Sequence, residues 1–485
     1  MTDENVKIKI GLEIHQQLDT NKLFCCCPSL IKEKVNPDTI IKRNLFAVSG
    51  ELGDIDIAAL YEQEKAKNHF YYFYNDCCCL VELDEKPPEP INKEALEIGL
   101  QICLLLDAEI LPVTQVMRKI VIDGSDVSGF QRTLLLGKNG KLEYEFDGQK
   151  KTIKINTICL EEEAAKKIKE EGQNTYWSLD RYGIPLIEIT TDSDIKSPEE
   201  AKVVALTIGE LLRACKVKRG LGTIRQDLNI SVEGGARTEI KGVQEPKLIP
   251  VVLRKEIQYQ LDKIKKGEKV LESVKKANED GSLTFLRPLP TSARMYPETD
   301  LPLIKIEEKL LEKIKQNLPK KISELKKEIG IDNPELVEGI IKKKEKLELW
   351  RSVKPMVKEN EKMLVAGLIV NSVRELSREL KVGEEKILEK AKEILPKIVK
   401  SLNQNKITAQ AAKEIFVECV KGKNFDILIK QFEILPKTEL ERKICDLSKT
   451  IDKRYLMQEA IKRFKFNADV KEIIEIVKKF LDEKK

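Results

Sequence analysis

Histidine is almost absent from this sequence: its 485 residues include only two, His15 and His69. Any metal chemistry must therefore lean on carboxylates. No apolar run approaches the roughly 20 residues that cross a bilayer. The first residues, Met1-Thr2-Asp3-Glu4-Asn5, offer neither the basic start nor the apolar stretch of a secretory signal. These absences lead to the expectation of a cytoplasmic protein. The sequence has no Gly-Lys-Ser/Thr phosphate loop and no dinucleotide fingerprint, so a nucleotide would need a less familiar pocket. No internal repeat is evident. Cysteine is not scarce, but its count of 11 is odd and no secretory context supports pairing, so disulfides are not expected.

A chain of this length should form two to four domains, since a domain runs to roughly 100–200 residues. Hydrophobic residues make up 41%, enough for several cores, and charged residues 34%. The texture changes near Pro302. Before it come short alternating runs, Gly-rich turns and most of the glycines; after it come Lys/Glu-rich amphipathic stretches broken by prolines. The clearest helical periods are Ile306–Lys315, Lys321–Glu328, Pro334–Lys344 and Glu384–Val399. The expected fold class is α+β. A mixed, largely antiparallel domain over 1–302 precedes an all-α domain over 303–403 and an all-α tail over 404–485. The net charge is +5, and the segment 404–485 alone carries that whole excess. A basic tail suits a phosphate backbone. A solvated Lys-rich helical surface accounts for it equally well.

The first strand-like run alternates strictly. Val6, Ile8, Ile10, Leu12 and Ile14 point one way; Lys7, Lys9, Gly11, Glu13 and His15 point the other. Glu13 and His15 thus share a face, roughly 7 Å apart, and Gly11 is expected to leave open space beside them. A carboxylate and an imidazole so placed can share a metal ion or act as an acid–base pair; an ordinary polar strand face is the plainer alternative. The run Thr223–Ser231 repeats the device, with Arg225, Asp227 and Asn229 on one face. A turn at Glu233-Gly234-Gly235-Ala236 would return the chain as a hairpin carrying Arg237, Glu239 and Lys241 at alternate positions. Cross-strand ion pairs would account for the same pattern.

Further carboxylates stand out. Glu188 lies inside the apolar run Ile184–Ile189, where a lone charge needs a partner or a metal. Glu161-Glu162-Glu163, ahead of Ala164-Ala165-Lys166, reads as an acidic helix start. Such carboxylates also suit a hard cation. The Gly-containing loop Asp123–Gly129, flanked by Arg118-Lys119 and Gln131-Arg132, could approach phosphates. Two cysteine triplets could supply Cys25, Cys27, Cys77 and Cys79 to one Zn²⁺. Their spacing is not the usual Cys-x-x-Cys, and buried thiols near a strand end are the alternative.

Several segments now fall into one order: Ile10-Gly11-Leu12-Glu13-Ile14-His15, Val116-Met117-Arg118-Lys119, Leu160-Glu161-Glu162-Glu163-Ala164-Ala165, Arg181–Ile189, Gly222–Ser231 and Arg294-Met295-Tyr296-Pro297-Glu298. In these the chain resembles the B/E subunits of tRNA-dependent amidotransferases over nearly all of residues 6–302. Gln16-Gln17 and Arg294–Glu298 look like the archaeal E branch. Beyond residue 302 the resemblance is weaker, as in Ile407–Ile415.

The resemblance implies a cradle domain with a kinase–transamidase site, a helical domain, and a tail that grips tRNA. It implies that ATP phosphorylates the γ-carboxylate of tRNA-bound glutamate and that ammonia displaces the phosphate, giving Gln-tRNA(Gln). It implies an asparaginase-like glutaminase partner as the ammonia source. The implied catalytic Mg²⁺ site comprises Glu13, His15, Glu162, Glu188 and Asp227, the family pattern choosing Glu162 over Glu161. His15 is an unusual Mg²⁺ ligand, so Mn²⁺ could also bind, or His15 could orient ammonia or water. Arg225, Lys241 and Arg294 would neutralise phosphate charge. One departure is clear: the E branch usually carries an inserted domain, whereas here Ala277–Ser282 runs directly into Leu283–Pro288. Two other readings stay open: a tRNA-binding scaffold with an inactive site, and a metal-dependent hydrolase built on Glu13 and His15.

Overall fold

Internal contacts divide the chain into two units, Met1–Lys320 and Lys321–Lys485. The computed structural model describes residues 7–32, 36–50, 53–289, 295–320 and 322–482. The first unit holds all the strands described: β1 (Ile8–Gln17), β2 (Thr39–Arg43), β3 (Asn68–Phe73), β4 (Glu109–Ile110), β5 (Val113–Thr114), β6 (Val116–Ile120), β7 (Phe130–Phe146) and β8 (Gln149–Glu162). They continue as β9 (Lys166–Glu171), β10 (Asn174–Ser178), β11 (Pro185–Thr191), β12 (Ile224–Val232), β13 (Thr238–Val243), β14 (Ser273–Ala277), β15 (Leu283–Arg287), β16 (Met295–Pro297) and β17 (Ile304–Lys305). The helices of this unit are α1 (Ile57–Glu64), α2 (Lys93–Leu105), α3 (Pro198–Leu212), α4 (Ile249–Lys265) and α5 (Glu308–Gln316).

An 11-stranded sheet runs in the order β15-β14-β13-β12-β1-β11-β8-β7-β6-β16, with β4 beside β7. Only β13 and β14 pair in parallel within it, so the expected mixed, largely antiparallel α+β architecture is what the chain forms. Alternation explains why β1 sits at the centre. Ile10, Leu12 and Ile14 are 0% exposed and join one core with side chains of α2, α3 and α4. Each such Leu or Ile contributes about 1.5–3 kcal/mol over an exposed one, so a one-residue slip of register would forfeit the strip. The long hairpin β7–β8 turns at Asp147-Gly148, both with positive φ (51° and 71°), which is the backbone an Asp-Gly turn supplies. Helix α3 starts where Ser197 Oγ accepts from Glu200 N at 3.2 Å and Pro198 takes the first turn.

A second sheet, β2-β3-β10-β9, lies off this path. The predicted hairpin after Ser231 forms as β12–β13. The predicted helix start at Glu161–Lys166 does not form. There β8 runs on to Glu162 and β9 begins at Lys166. Ile158 and Leu160 bury on alternate positions, and ladders to β7 and β11 already satisfy the backbone on both edges. The run Ala277–Ser282 into Leu283 closes as a tight hairpin, with Ala277 paired to Leu283.

The second unit is helical among the described residues. Helices Ile322–Ile329, Pro334–Ile341 and Glu384–Asn403 fall where the periodicity puts them. The contact boundary lies near Lys320 rather than Pro302, because β17 pairs with β5 and Ile314 of α5 joins the core of the first unit. In the second unit one apolar cluster reaches from Ile329 to Leu428 and so crosses residue 403. A separate cluster gathers Leu440–Val477. No helix among the described residues is long and apolar enough to cross a membrane.

Candidate active site

The face of the large sheet opposite its helical core is polar, and strand pairing assembles it. Glu13 stands across from Asp227 of β12, and His15 across from Glu188 of β11. On β8, Glu161 shares this face, because its neighbours Leu160 and Glu162 point the other way. Lys119 of β6 and Thr133 of β7 extend the row on one side, and Glu239 and Lys241 of β13 on the other. His15 Nε2 lies 3.3 Å from Glu13 Oε1, 3.3 Å from Glu188 Oε2 and 3.8 Å from Glu161 Oε1. Lys119 Nζ lies 3.0 Å from Glu161 Oε2 and 3.5 Å from Glu188 Oε2. Lys241 Nζ lies 2.9 Å from Asp227 Oδ2 and 2.5 Å from Glu239 Oε1. Thr133 Oγ1 donates to Glu161 at 3.1 Å, and Gly242 N donates to Asp227 Oδ1 at 2.9 Å. The result is two acidic triads, Glu13–His15–Asp227 and His15–Glu161–Glu188, that share one imidazole.

The electrostatics of this face are unbalanced. Burial, with Glu188 nearby, pushes the Glu13 carboxyl up to about 7. Burial opposes ionisation of Asp227 too, but Lys241, His15 and the Gly242 N–H outweigh it and hold the group at about 2. Glu188 is likewise buried, yet Lys119 and His15 keep it well below the carboxylate range. His15 is raised despite burial, by its hydrogen bond to Glu188 and the charge of Glu13. His15 Nδ1 is buried with no hydrogen-bond partner among the described residues. The donors are mostly carboxylate oxygens, as a hard divalent cation requires.

Residues 8–312 match the model of the GatB/GatE catalytic domain. The chain belongs to the GatB/GatE family. Relatives named as the E-type subunits of glutamyl-tRNA(Gln) amidotransferase run along nearly all of it. The one from Methanocaldococcus jannaschii is 34% identical, covering 99% of this chain and 99% of its own length. That from Saccharolobus solfataricus is 33% identical over 98% of each, and that from Pyrococcus furiosus 35% identical over 86% of each. The first of these alignments spans 642 positions, more than the 485 residues here, so the relative carries segments that this family member lacks. That agrees with the tight β14–β15 hairpin where an insertion was expected.

Within this family member the expected site residues separate. Glu13, His15, Glu188 and Asp227 converge. Glu162 does not: its Oε2 accepts from Arg132 N at 3.3 Å and faces Arg132 Nη1 at 3.4 Å, while Arg132 Nε donates to Glu298 at 2.8 Å. Glu161 stands with the cluster instead, because strand alternation puts the two carboxylates on opposite faces. Of the phosphate candidates, Lys241 lies in the cluster. Arg225 is held in a fork by Glu163, at 2.7 and 2.9 Å, and Arg294 lies outside the described residues. Gly11 does not open space. A Cβ there would meet the Asp192 carbonyl oxygen at 3.4 Å, so this glycine admits a neighbouring backbone. The Gly124 loop is also packed: a Cβ on Gly124 would fall 2.1 Å from His69 Nδ1. Glu239 lies beside Lys241 as the hairpin pattern put it, whereas Lys119 and Thr133 were missed as members of the face. The alternation of Val116 and Ile120 with the residues between them was the available signal for Lys119.

The cysteines form a second candidate centre. Cys25, Cys27, Cys79 and Glu82 each bring a ligand atom within 4.8 Å of the others. Cys77 is not among them; its N–H donates to the Tyr74 carbonyl at 3.2 Å and its side chain is buried in another cluster. Glu82 replaces it as fourth donor. Cys25 Sγ donates to Glu82 Oε1 at 3.0 Å, and Cys79 N donates to Glu82 Oε2 at 2.8 Å. Cys25 beside it brings the Cys79 thiol down to about 7. Three sulfurs and one carboxylate are a donor set that Zn²⁺ accepts. Lys22 Nζ, 3.0 Å from Glu82 Oε1, already offsets part of its charge.

Proposed function

We propose that this chain converts Glu-tRNA(Gln) to Gln-tRNA(Gln), using ATP and Mg²⁺ at the polar sheet face. The observation that carries the reading is the convergence of Glu13, His15, Glu161, Glu188 and Asp227 with two ammonium groups on one side of one sheet. The names of the relatives supply the substrate. A γ-carboxylate is a poor acyl donor. Transfer of the ATP γ-phosphoryl group to it releases ADP and leaves an acyl phosphate; ammonia then forms the C–N bond as phosphate departs. Phosphoryl transfer depends on positioning and charge stabilisation more than on covalent help.

Mg²⁺, when bound, would supply the charge that neutralises the phosphates. Glu13, Asp227, Glu161 and Glu188 would hold it: a carboxyl pushed up by burial with Glu188 beside it, and an unpartnered His15 Nδ1, fit a bound cation. Lys119 and Lys241 each bridge two carboxylates and can turn to phosphate oxygens as these arrive. His15, between Glu13 and Glu188, can orient ammonia or water. The ammonia would come from an asparaginase-like glutaminase that assembles with this chain. The helices beyond residue 404 would grip tRNA, Zn²⁺ at Cys25, Cys27, Cys79 and Glu82 would be structural, and the protein would work in the cytoplasm.

The test is a transamidation assay with the purified full chain, ATP, Mg²⁺, ammonium and Glu-tRNA(Gln). Gln-tRNA(Gln) should accumulate with one ATP consumed per amide formed. ATP-independent turnover, or none in the presence of ammonium, would overturn the reading.

A further inference from the structure

Aromatic residues make up only 5% of the chain, yet they crowd into the small sheet. Strand β3 reads Asn-His-Phe-Tyr-Tyr-Phe and β10 carries Tyr176 and Trp177. Alternation divides them. Tyr71 and Trp177 bury in the inner face with Tyr182 and Val127. Phe70, Tyr72 and Tyr176 point the other way and stay partly exposed. Tyr72 also packs against the inner core, but Phe70 and Tyr176 take no part in it.

The register draws the outward side chains into a row. Lys42 of β2 stands opposite Phe70, Phe70 opposite Tyr176, and Tyr176 opposite Lys169 of β9. The Phe70 and Tyr176 rings stack at 5.0 Å with planes 18° apart, and Tyr72 meets Tyr176 edge-on at 6.1 Å. Each end of the row is a cation over a ring: Lys42 Nζ 5.9 Å from Phe70, and Lys169 Nζ 4.5 Å from Tyr176. The edge strands are net basic, with five cations against Glu170 and Glu171. Those acids are shared: Glu171 pairs with Lys169 at 2.9 Å, and Glu170 with Lys67 and Lys167.

We propose that this outward face is a stacking platform for unpaired nucleotides of the RNA that the chain binds. It rests on the reading of the substrate as a tRNA and adds where single-stranded nucleotides lie. Aromatic rings stack on any base, and flanking lysines track the phosphates. An exposed ammonium over a ring is the weaker contact, so a base can take the ring while the flexible lysine turns to the backbone. A purely apolar protein surface would satisfy the rings but not the basic edges, whereas a polyanion with planar bases satisfies both.

The test uses the full chain and a fluorescein-labelled hexauridylate, read by anisotropy, with a duplex RNA of similar length as control. Replacing both rings (Phe70→Leu with Tyr176→Leu) should weaken hexauridylate binding about tenfold or more. Tyr176→Phe, which keeps the ring, should leave it nearly unchanged. Lys42→Gln with Lys169→Gln should flatten the salt dependence. Uncharged tRNA should shield Lys42 and Lys169 from acylation. Unchanged affinity in the double-leucine variant, or in the lysine pair should the leucine variant misfold, would overturn the platform. So would shielding of these lysines only by a protein partner. Transamidation is measured alongside. Amidation that stays normal while hexauridylate ignores the rings removes the platform alone. Ring-dependent binding without amidation by the wild type removes the functional reading and leaves the platform.

Discussion

Two neighbouring regions of the first unit handle buried charge in opposite ways. Around Glu163 every charge is answered. Arg225 grips both carboxylate oxygens, Arg181 lies 3.9 Å away, and Gln17 Nε2 donates at 3.1 Å. Although burial works against it, this guanidinium environment holds Glu163 at about 2. On the polar sheet face, Glu13, Glu161, Glu188, Asp227 and Glu239 instead share two lysines and one imidazole, and Glu13 is pushed to about 7. The first arrangement is closed and fixes backbone geometry. The second is short of positive charge, and that deficit is what a metal–nucleotide complex could fill. Three consecutive glutamates thus divide among three environments: Glu161 on the open face, Glu162 against Arg132, Glu163 against Arg225.

The sharpest way to break the comparison is to remove acids from the open face. Glu13→Ala or Asp227→Ala should lower ammonium-driven transamidation by at least about 1,000-fold while leaving tRNA affinity within a few-fold. Normal turnover in either variant would remove the metal-site assignment. Next comes the pair Glu161→Gln and Glu162→Gln. The first should lower kcat by about 100-fold with little change in stability. The second should chiefly lower the thermal midpoint, since it unbalances Arg132. Equal kinetic losses would mean that sheet parity does not sort the two.

On the closed side, Arg225→Ala leaves Glu163 buried without its main partner and should destabilise the fold by about 3 kcal/mol in urea unfolding. Its pH signature has a definite sign. Glu163 is depressed from 4.5 to about 2, so its contribution is complete above the ordinary value and is lost as pH falls through that window. The urea midpoint of the wild type should therefore drop between those limits, and more steeply than that of Arg225→Ala. Parallel curves would show that the pair does not act in this way. The smallest effect is expected from the tail. Removing residues 436–485 takes away the separate Leu440–Val477 core and keeps every buried member of the one that crosses residue 403, which loses only the packing of Phe466. tRNA affinity should fall about tenfold with a shallower salt slope. An unchanged slope would count against a phosphate-binding tail.

Much of this was legible in the chain. The strict alternation of β1 put Glu13 and His15 on one face, and the same rule set Arg225 and Asp227 apart from Leu228 and Ile230. Gly234-Gly235 marked a hairpin. The long amphipathic periods beyond Pro302 became helices. Other local signals read differently once the strands were paired. Glu161–Lys166 resembles a helix start because acids favour a helix N-terminus, but β8 pairs on both edges and leaves no backbone donors for a helix to cap. The choice of Glu162 over Glu161 came from resemblance, whereas Ile158 and Leu160 could have assigned Glu161 to the polar side. Gly11 was read as an opening and the Gly124 loop as an approach to phosphates; each glycine instead admits a close neighbour, which only the packing reveals.

By itself, then, the sequence determined the local periods: which side chains share a strand face, where turns reverse the chain, and where strands give way to helices. Those follow from backbone geometry and burial within a few residues. The tertiary structure decided which faces meet. His15 reaches Glu188 and Glu161 through pairings about 150 or more residues away in the chain, and a ladder's register depends on the whole sheet. Local pattern cannot say that Arg225 would turn to Glu163, that Glu82 would stand where Cys77 was expected, or that Lys42 and Lys169 would bracket one aromatic row. Each of those depends on which distant segments pack together, and that is settled by burying apolar faces across the whole unit.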